Sequence, residues 1–148
     1  MRGSTNARLV ALGCAAALLA GCGGGGPVSG YKGKMPEAMK PCDAANKELP
    51  KALAAARTGK MTFNEARAEA DKTLATCEAA LSAWKGLKDM PPKVAEACIP
   101  EAEAKVQLAY ASRNALDHQM SKHYKTLIDR AALAVEKAVA ACKEAQKG

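Results

Sequence analysis

Apolar side chains recur at intervals of three and four residues along most of the chain after about residue 36. The clearest stretch begins at Thr62 and Glu65, which match the Ser/Thr-x-x-Glu pattern of a helix capping box. Its apolar residues fall on one helix face: Phe63, Ala66, Ala70, Leu74, Cys77, Leu81 and Trp84. The pattern therefore predicts an amphipathic helix that begins near Thr62 and ends before Pro91 and Pro92.

The same spacing predicts three more helices. The first runs from about Glu37 to Arg57, with a kink or break at Pro50, because proline lacks a backbone donor and clashes with the preceding turn. The third starts near Lys93 and continues past Pro100, and the fourth follows it. The apolar positions are Ala102, Val106, Ala109, Leu116 and Met120 in the third, and Tyr124, Leu127, Ala131, Val135, Ala138 and Cys142 in the fourth. Since no segment alternates as a strand does, we predict an all-α domain.

The boundary between the third and fourth helices is open, because residues 117–122 contain neither Gly nor Pro. A single helix from Lys93 to Lys147 is the alternative, and at 1.5 Å per residue it would be about 80 Å long. The alternative fold is then a helical hairpin plus one long helix.

Four cysteines lie in the helical region. Cys42 and Cys77 are symmetric about Gly59 and Lys60, while Cys98 and Cys142 are symmetric about residue 120. In an up-down bundle all four fall in one layer within about 6 Å of height. Pairing Cys42 with Cys77 and Cys98 with Cys142 gives the smallest mismatch, and pairing Cys42 with Cys142 and Cys77 with Cys98 stays open. A straight helix would hold Cys98 and Cys142 too far apart for a disulfide. We therefore predict a four-helix up-down bundle with two disulfides.

The predicted core is poor in large side chains. Aromatic residues make up 3% of the chain, and the apolar faces are largely alanine, so each side chain buries little area. A disulfide typically adds about 2 to 4 kcal/mol by restricting the unfolded chain. Stabilisation of a marginal core is thus a sufficient role for all four cysteines.

The N-terminal segment has the pattern of an export signal. Arg2 and Arg8 precede the uncharged apolar run Leu9–Ala20, which is shorter than the roughly 20 residues that a membrane-spanning helix needs. The run closes with Leu19-Ala20-Gly21-Cys22, which resembles the lipobox of bacterial lipoproteins. The resemblance implies a signal peptide over residues 1–21 and a lipid-bearing Cys22 that anchors the protein in the membrane by its acyl (palmitate-type) chains.

The resemblance also implies an address and a domain order. Gly23 stands where an inner-membrane retention signal usually has Asp, so in a host with two membranes we expect the outer membrane, facing the periplasm. Residues 22–35 are Gly-rich and predict a flexible tether, and residues 36–148 form the helical domain.

Charge suggests where this domain could bind a partner. Without the signal's two arginines the chain keeps 20 Lys and Arg against 15 Asp and Glu, which favours an acidic protein or envelope polymer. No basic block with interleaved aromatic residues suggests nucleic acid. In the up-down bundle the turns near residues 60 and 120 share the end opposite the tether. The predicted partner-binding residues there are Arg57, Lys60, Arg113, Lys122 and Lys125.

The sequence contains little that indicates catalysis. No Cys-x-x-Cys, Gly-x-Ser-x-Gly or comparable motif occurs, so we expect a non-enzymatic binding or scaffold protein without a cofactor. One alternative is an inhibitor or immunity-type protein that blocks a toxin or hydrolase. The other is a copper- or zinc-binding lipoprotein with His118, Met120 and His123 as ligands.

Overall fold

A computed structural model describes residues 30–148 of the chain. In this range four helices follow one another with alternating direction: α1 (Tyr31–Arg57), α2 (Phe63–Lys85), α3 (Pro92–Asp117) and α4 (Lys122–Ala145). The predicted all-α four-helix bundle is confirmed. The predicted signal peptide, Cys22 and most of the predicted tether lie outside the described residues.

The four helices do not surround the core equally. α1, α2 and α3 pack against one another, whereas α4 packs against α3 and makes no close backbone approach to α1 or α2. Cys142 is the only fully buried residue of α4, and its other apolar positions are half-buried or exposed. The bundle is therefore a three-helix group with α4 added on one side of α3.

The chain between α3 and α4 turns sharply, so the single long helix is wrong. Gln119 and Met120 have φ angles of 50° and 55°, in the left-handed region. The amide of Met120 donates to Ala115 O and that of Gln119 to Leu116 O, which is the bonding pattern of a Schellman motif. The motif satisfies the last carbonyls of α3 without a glycine.

α1 differs from its prediction at its start and at Pro50. It begins at Tyr31, so residues 31–35 belong to the helix and not to the tether, and Met35 is buried. The helix also continues through Pro50 without a break. Pro50 is exposed while Leu49 and Leu53 beside it are buried, so packing on both sides of the proline holds the helical backbone in place.

Two apolar clusters fill the interior. The proximal cluster lies at the end where α1 begins and contains Met35, Met39, all four cysteines, Ala80, Trp84, Val94 and Ala102. The distal cluster lies at the end of the α1–α2 and α3–α4 turns and contains Leu49, Ala52, Leu53, Ala56, Ala66, Ala70 and Leu116. The predicted single layer of cysteines is confirmed, and it lies at the end where α1 begins.

The pairing with the smallest height mismatch is the one observed. Cys42 bonds to Cys77 and Cys98 to Cys142, with Cα–Cα distances of 4.6 Å and 4.4 Å. Each bond joins two consecutive helices, because the intervening turns lie midway between the paired cysteines. Among α1 to α4, no helix is both long and apolar enough to span a bilayer.

Candidate functional site at the distal end

Both turns of the distal end carry exposed cations. Arg57 and Lys60 stand where α1 ends, and Lys122 and Lys125 stand in the first turn of α4. The turns are brought together because Met61 and Met120 both pack against the distal cluster. Among residues 30–148, these four cations make no ion pair with an acidic side chain. Their charge therefore faces the solvent.

The start of α4 adds to this positive potential. Its N-cap, Ser121, makes no side-chain hydrogen bond to the helix, and its first turn contains no acidic residue. A helix N-terminus carries a partial positive charge and free amide donors, which anions stabilise. Acidic residues are usually preferred at a helix start, but here the first turn of α4 carries lysines instead. The position therefore favours binding of an external anion.

The start of α2 at the same end is neutralised. Thr62 and Glu65 form the predicted capping box, with Glu65 N donating to Thr62 Oγ1 over 3.2 Å and Thr62 N donating to Glu65 Oε2 over 2.8 Å. The Thr62 hydroxyl also donates to Glu65 Oε2 over 2.8 Å, and the hydrogen bonds from the Thr62 backbone amide and then from this hydroxyl lower the pKa of Glu65. The capping box therefore keeps the Glu65 carboxylate charged and bound to the start of its own helix. Of the two helices that begin at the distal end, only α4 has a first turn without a cap or an acidic residue.

Arg113 is placed differently from the other four predicted partner-binding residues. Its Nε donates to Asp71 Oδ1 over 2.7 Å, and its Nη1 lies 3.4 Å from Asp117 Oδ2. Asp117 also lies 3.0 Å from Arg67 Nε, a charge contact without hydrogen-bond alignment. The hydrogen bond with Asp71 raises the pKa of Arg113. Arg113 thus joins α2 to α3 and does not belong to the free cationic surface.

Each of the three candidate metal ligands packs against a neighbouring side chain. The ring of His118 stacks on Tyr124 with centroids 4.1 Å apart, and His123 meets the same ring edge-on at 5.3 Å. Met120 packs against the distal cluster. In the part of the chain described, no group of three or more His, Cys, Asp or Glu side chains could hold a metal ion. A metal site at His118, Met120 and His123 stays a prediction.

The four cysteines of the helical domain are buried, disulfide-bonded and hydrogen-bonded, as expected for a structural role. All four are at most 1% exposed, and each disulfide accepts hydrogen bonds from an amide side chain four residues after one of its cysteines. Asn46 Nδ2 lies 3.3 Å from Cys77 Sγ, and Gln146 Nε2 lies 3.0 Å from Cys142 Sγ. The only sign of these hydrogen bonds in the sequence is that each amide residue follows a cysteine by four positions, and the bonds were not predicted from it.

A buried ion cluster in the middle of the bundle was also missed. Lys105 Nζ on α3 lies 2.6 Å from Asp43 Oδ1 on α1 and 2.7 Å from Glu101 Oε1. Lys105 and Glu101 are buried, whereas Asp43 is half-exposed. The cluster fastens α1 to α3. In the sequence, Glu101 and Lys105 look like an ordinary solvated pair four residues apart.

A scan against protein-family models and searches of curated proteins and of solved structures found no match for this chain. What the distal end can bind therefore has to be inferred from its own residues.

Proposed function

We propose that this protein is a non-enzymatic binding module of the bacterial cell envelope, anchored in the membrane through Cys22. In this proposal its distal end docks an acidic protein or anionic envelope polymer. The observation that carries the proposal is the group of four unpaired cations, Arg57, Lys60, Lys122 and Lys125, on two adjacent turns.

The position of this surface suits an anchored protein. Cys22 precedes α1, which begins at the proximal end, so an anchor there leaves the distal end away from the lipid. α1 has 27 residues. At 1.5 Å per residue it would place the distal turns about 40 Å beyond its first residue. The cations would thus face partners in the space beyond the membrane and not the anionic headgroups.

The chemistry of the surface favours a carboxylate- or phosphate-rich partner. Solvated lysines and an uncapped helix start attract anions over several ångströms without requiring one fixed geometry. Such contacts speed association and weaken with salt, because ions screen them within about 8 Å at physiological ionic strength. Binding through this end should therefore fall steeply as salt is raised.

The experiment is charge reversal in the native membrane. The variant K60E/K122E/K125E is compared with wild type by cross-linking the envelope, isolating the protein and identifying its partners by mass spectrometry. We expect the acidic partner to be lost, since three attractive charges become repulsive. A single stoichiometric partner would favour the inhibitor or immunity-type function, and several partners would favour a scaffold.

The control carries the same charge change at other positions. Lys40, Lys88 and Lys93 are exposed and lie in the proximal half of α1, in the α2–α3 loop and at the start of α3. The variant K40E/K88E/K93E should retain the partner. Retention of every partner by the distal variant, or equal loss in both variants, would contradict the proposed site.

The anchor is tested separately by intact mass spectrometry of protein from the native membrane. We expect a chain that begins at Cys22 and carries acyl groups. An unmodified Cys22 would contradict the anchored part of the proposal while leaving the docking surface to be judged by charge reversal.

A further inference from the structure

A groove runs between α1 and α2 on the outer side of that helix pair. Its volume is about 740 Å³, and its floor is formed by small or apolar side chains such as Ala45, Leu49, Ala52 and Thr73. The charged residues that line it are Glu48 and Lys51 on α1, and Glu69 and Lys72 on α2. The backbone of α4 approaches only α3 and no residue of α3 or α4 lines the groove, so none of the described helices covers it.

The charges on its rims alternate in both directions. Because Cys42 is bonded to Cys77, positions counted from these two residues compare heights on the antiparallel helices. Glu48 and Lys72, six and five residues from the disulfide, lie nearly level, and so do Lys51 and Glu69, at nine and eight residues. Each acid therefore faces a base across the groove and has a base beside it on its own helix.

The α1 rim has the same spacing of side chains in both directions along the chain, with the acid and the base exchanged. Ala44, Glu48, Lys51 and Ala55 follow at intervals of four, three and four residues, so the pattern is symmetric about the bond between Leu49 and Pro50. The Lys51 side chain is 71% exposed and the Glu48 side chain 63%, so their ion pair of 2.7 Å is open to solvent. A symmetric order with opposite charges is self-complementary.

We propose that the face of α1 and α2 that holds this groove is the interface of a symmetric dimer, in which the same face of a second copy of the chain closes the groove with its α1 running antiparallel. A twofold axis near Leu49 and Pro50 places Glu48 opposite Lys51 of the second copy, and Ala44 opposite Ala55. The alanines allow the helix axes to approach at the short end of the usual 8 to 10 Å. The same axis places Glu69 near Lys72 of the second copy, because the α2 charges are centred at nearly the same height.

The occupant is a second copy because the charge pattern offers no net attraction to any other single class of partner. The rims carry two acids and two bases, so neither an acidic nor a basic partner is favoured. A surface with the reversed order of charges is required, and this chain supplies it by its own symmetry. The interface is short and exposed, which corresponds to a weak dimer.

The test is sedimentation equilibrium of the oxidised full chain in density-matched detergent. We expect wild type to show a monomer–dimer equilibrium with a Kd on the order of tens of micromolar. E48K and K51E alone should each raise the Kd at least about tenfold, because like charges then face each other twice per dimer. An equimolar mixture of E48K and K51E should dimerise at least as well as wild type, since every facing pair is again of opposite sign.

The controls make each outcome decisive. E136K reverses an exposed charge on α4 and should leave the Kd unchanged, and far-UV circular dichroism verifies that all variants are folded. A wild-type chain that stays monomeric up to about 1 mM, roughly −4 kcal/mol of association, overturns the proposal. It is equally overturned if the mixture fails to dimerise, or if E48K is rescued by mixing with K72E and not with K51E, since the antiparallel α1 register would then be wrong.

Discussion

Lys105 shows how much a single side chain depends on neighbours that are distant in sequence. Its ammonium group is buried between Glu101 on the same helix and Asp43 on α1. Removing a charge from water costs several kcal/mol, and only close partners of opposite charge compensate that cost. The neighbours of Lys105 therefore decide whether it stabilises the fold.

We predict that K105M lowers the free energy of unfolding by about 3 to 5 kcal/mol, because Glu101 is left buried without its cation. The double variant E101L/K105M should recover most of that loss, since no buried charge remains. Denaturant unfolding of the oxidised protein measures both. K85M is the matched control: its partner Glu103 is half-exposed, so the loss should stay below about 1 kcal/mol. A K105M variant as stable as K85M would contradict the assignment of a buried ion pair.

The helix ends differ in how far local sequence explains them. α1 and α3 both end in a Schellman motif, in which the amides of Lys60 and Met120 donate to carbonyls five residues earlier. In α1 the left-handed position is Gly59, with φ of 72°. In α3 it is Gln119, a residue that rarely adopts this conformation. The sequence therefore marks the end of α1 and leaves the end of α3 open.

This contrast predicts stability changes of opposite sign. Q119G should raise the free energy of unfolding by about 0.5 to 1 kcal/mol, because glycine adopts a positive φ without strain. G59A should lower it by about 1 kcal/mol, although the added Cβ would meet no atom within 4 Å, since the cost is in the backbone. Thermal or denaturant unfolding compares the pair. A Q119G variant no more stable than wild type would show that the turn after α3 is not strained.

The same distinction explains which elements the sequence predicts. The start of α2 follows from a local signal, the Thr62 capping box, and the helix ends at Lys85, before the two prolines as predicted. Its predicted face is buried at Ala66, Ala70, Cys77 and Trp84, whereas the predicted Phe63, Leu74 and Leu81 are half-buried. α1 is continuous through Pro50 because packing by its neighbours outweighs a local preference for a break. The exposure of the cationic turns follows from the order of the helices in the bundle. The ion pair of Arg113 could not be predicted, because its partner Asp71 lies 42 residues away in the sequence.

The attachment of α4 is a property of the whole molecule that no local pattern reveals. Its apolar face predicts burial on all neighbours, yet its backbone approaches α3 alone, and only Cys142 is fully buried. α1 has two neighbouring helices as well as the ion cluster at Lys105. Loss of one disulfide should therefore affect the two halves of the bundle unequally.

The chain-entropy effect alone predicts no such difference. The disulfides span 35 and 44 residues, and loops of these lengths give nearly equal values of about 4 kcal/mol. What differs is the packing that remains. Without the Cys98–Cys142 bond, α4 is held by half-buried side chains such as Ile128 and Val135, whereas α1 without its bond keeps the distal cluster and its contact with α3.

We predict that C98S/C142S exposes α4 selectively. Hydrogen exchange followed by mass spectrometry should show loss of protection over residues 122–145 at temperatures where α1, α2 and α3 stay protected. C42S/C77S should instead lower the protection of all four helices together, because α1 contributes to both apolar clusters. Equal and global loss of protection in the two variants would mean that α4 belongs to the same cooperative unit as the other helices, and that its packing on α3 is stronger than its half-buried face indicates.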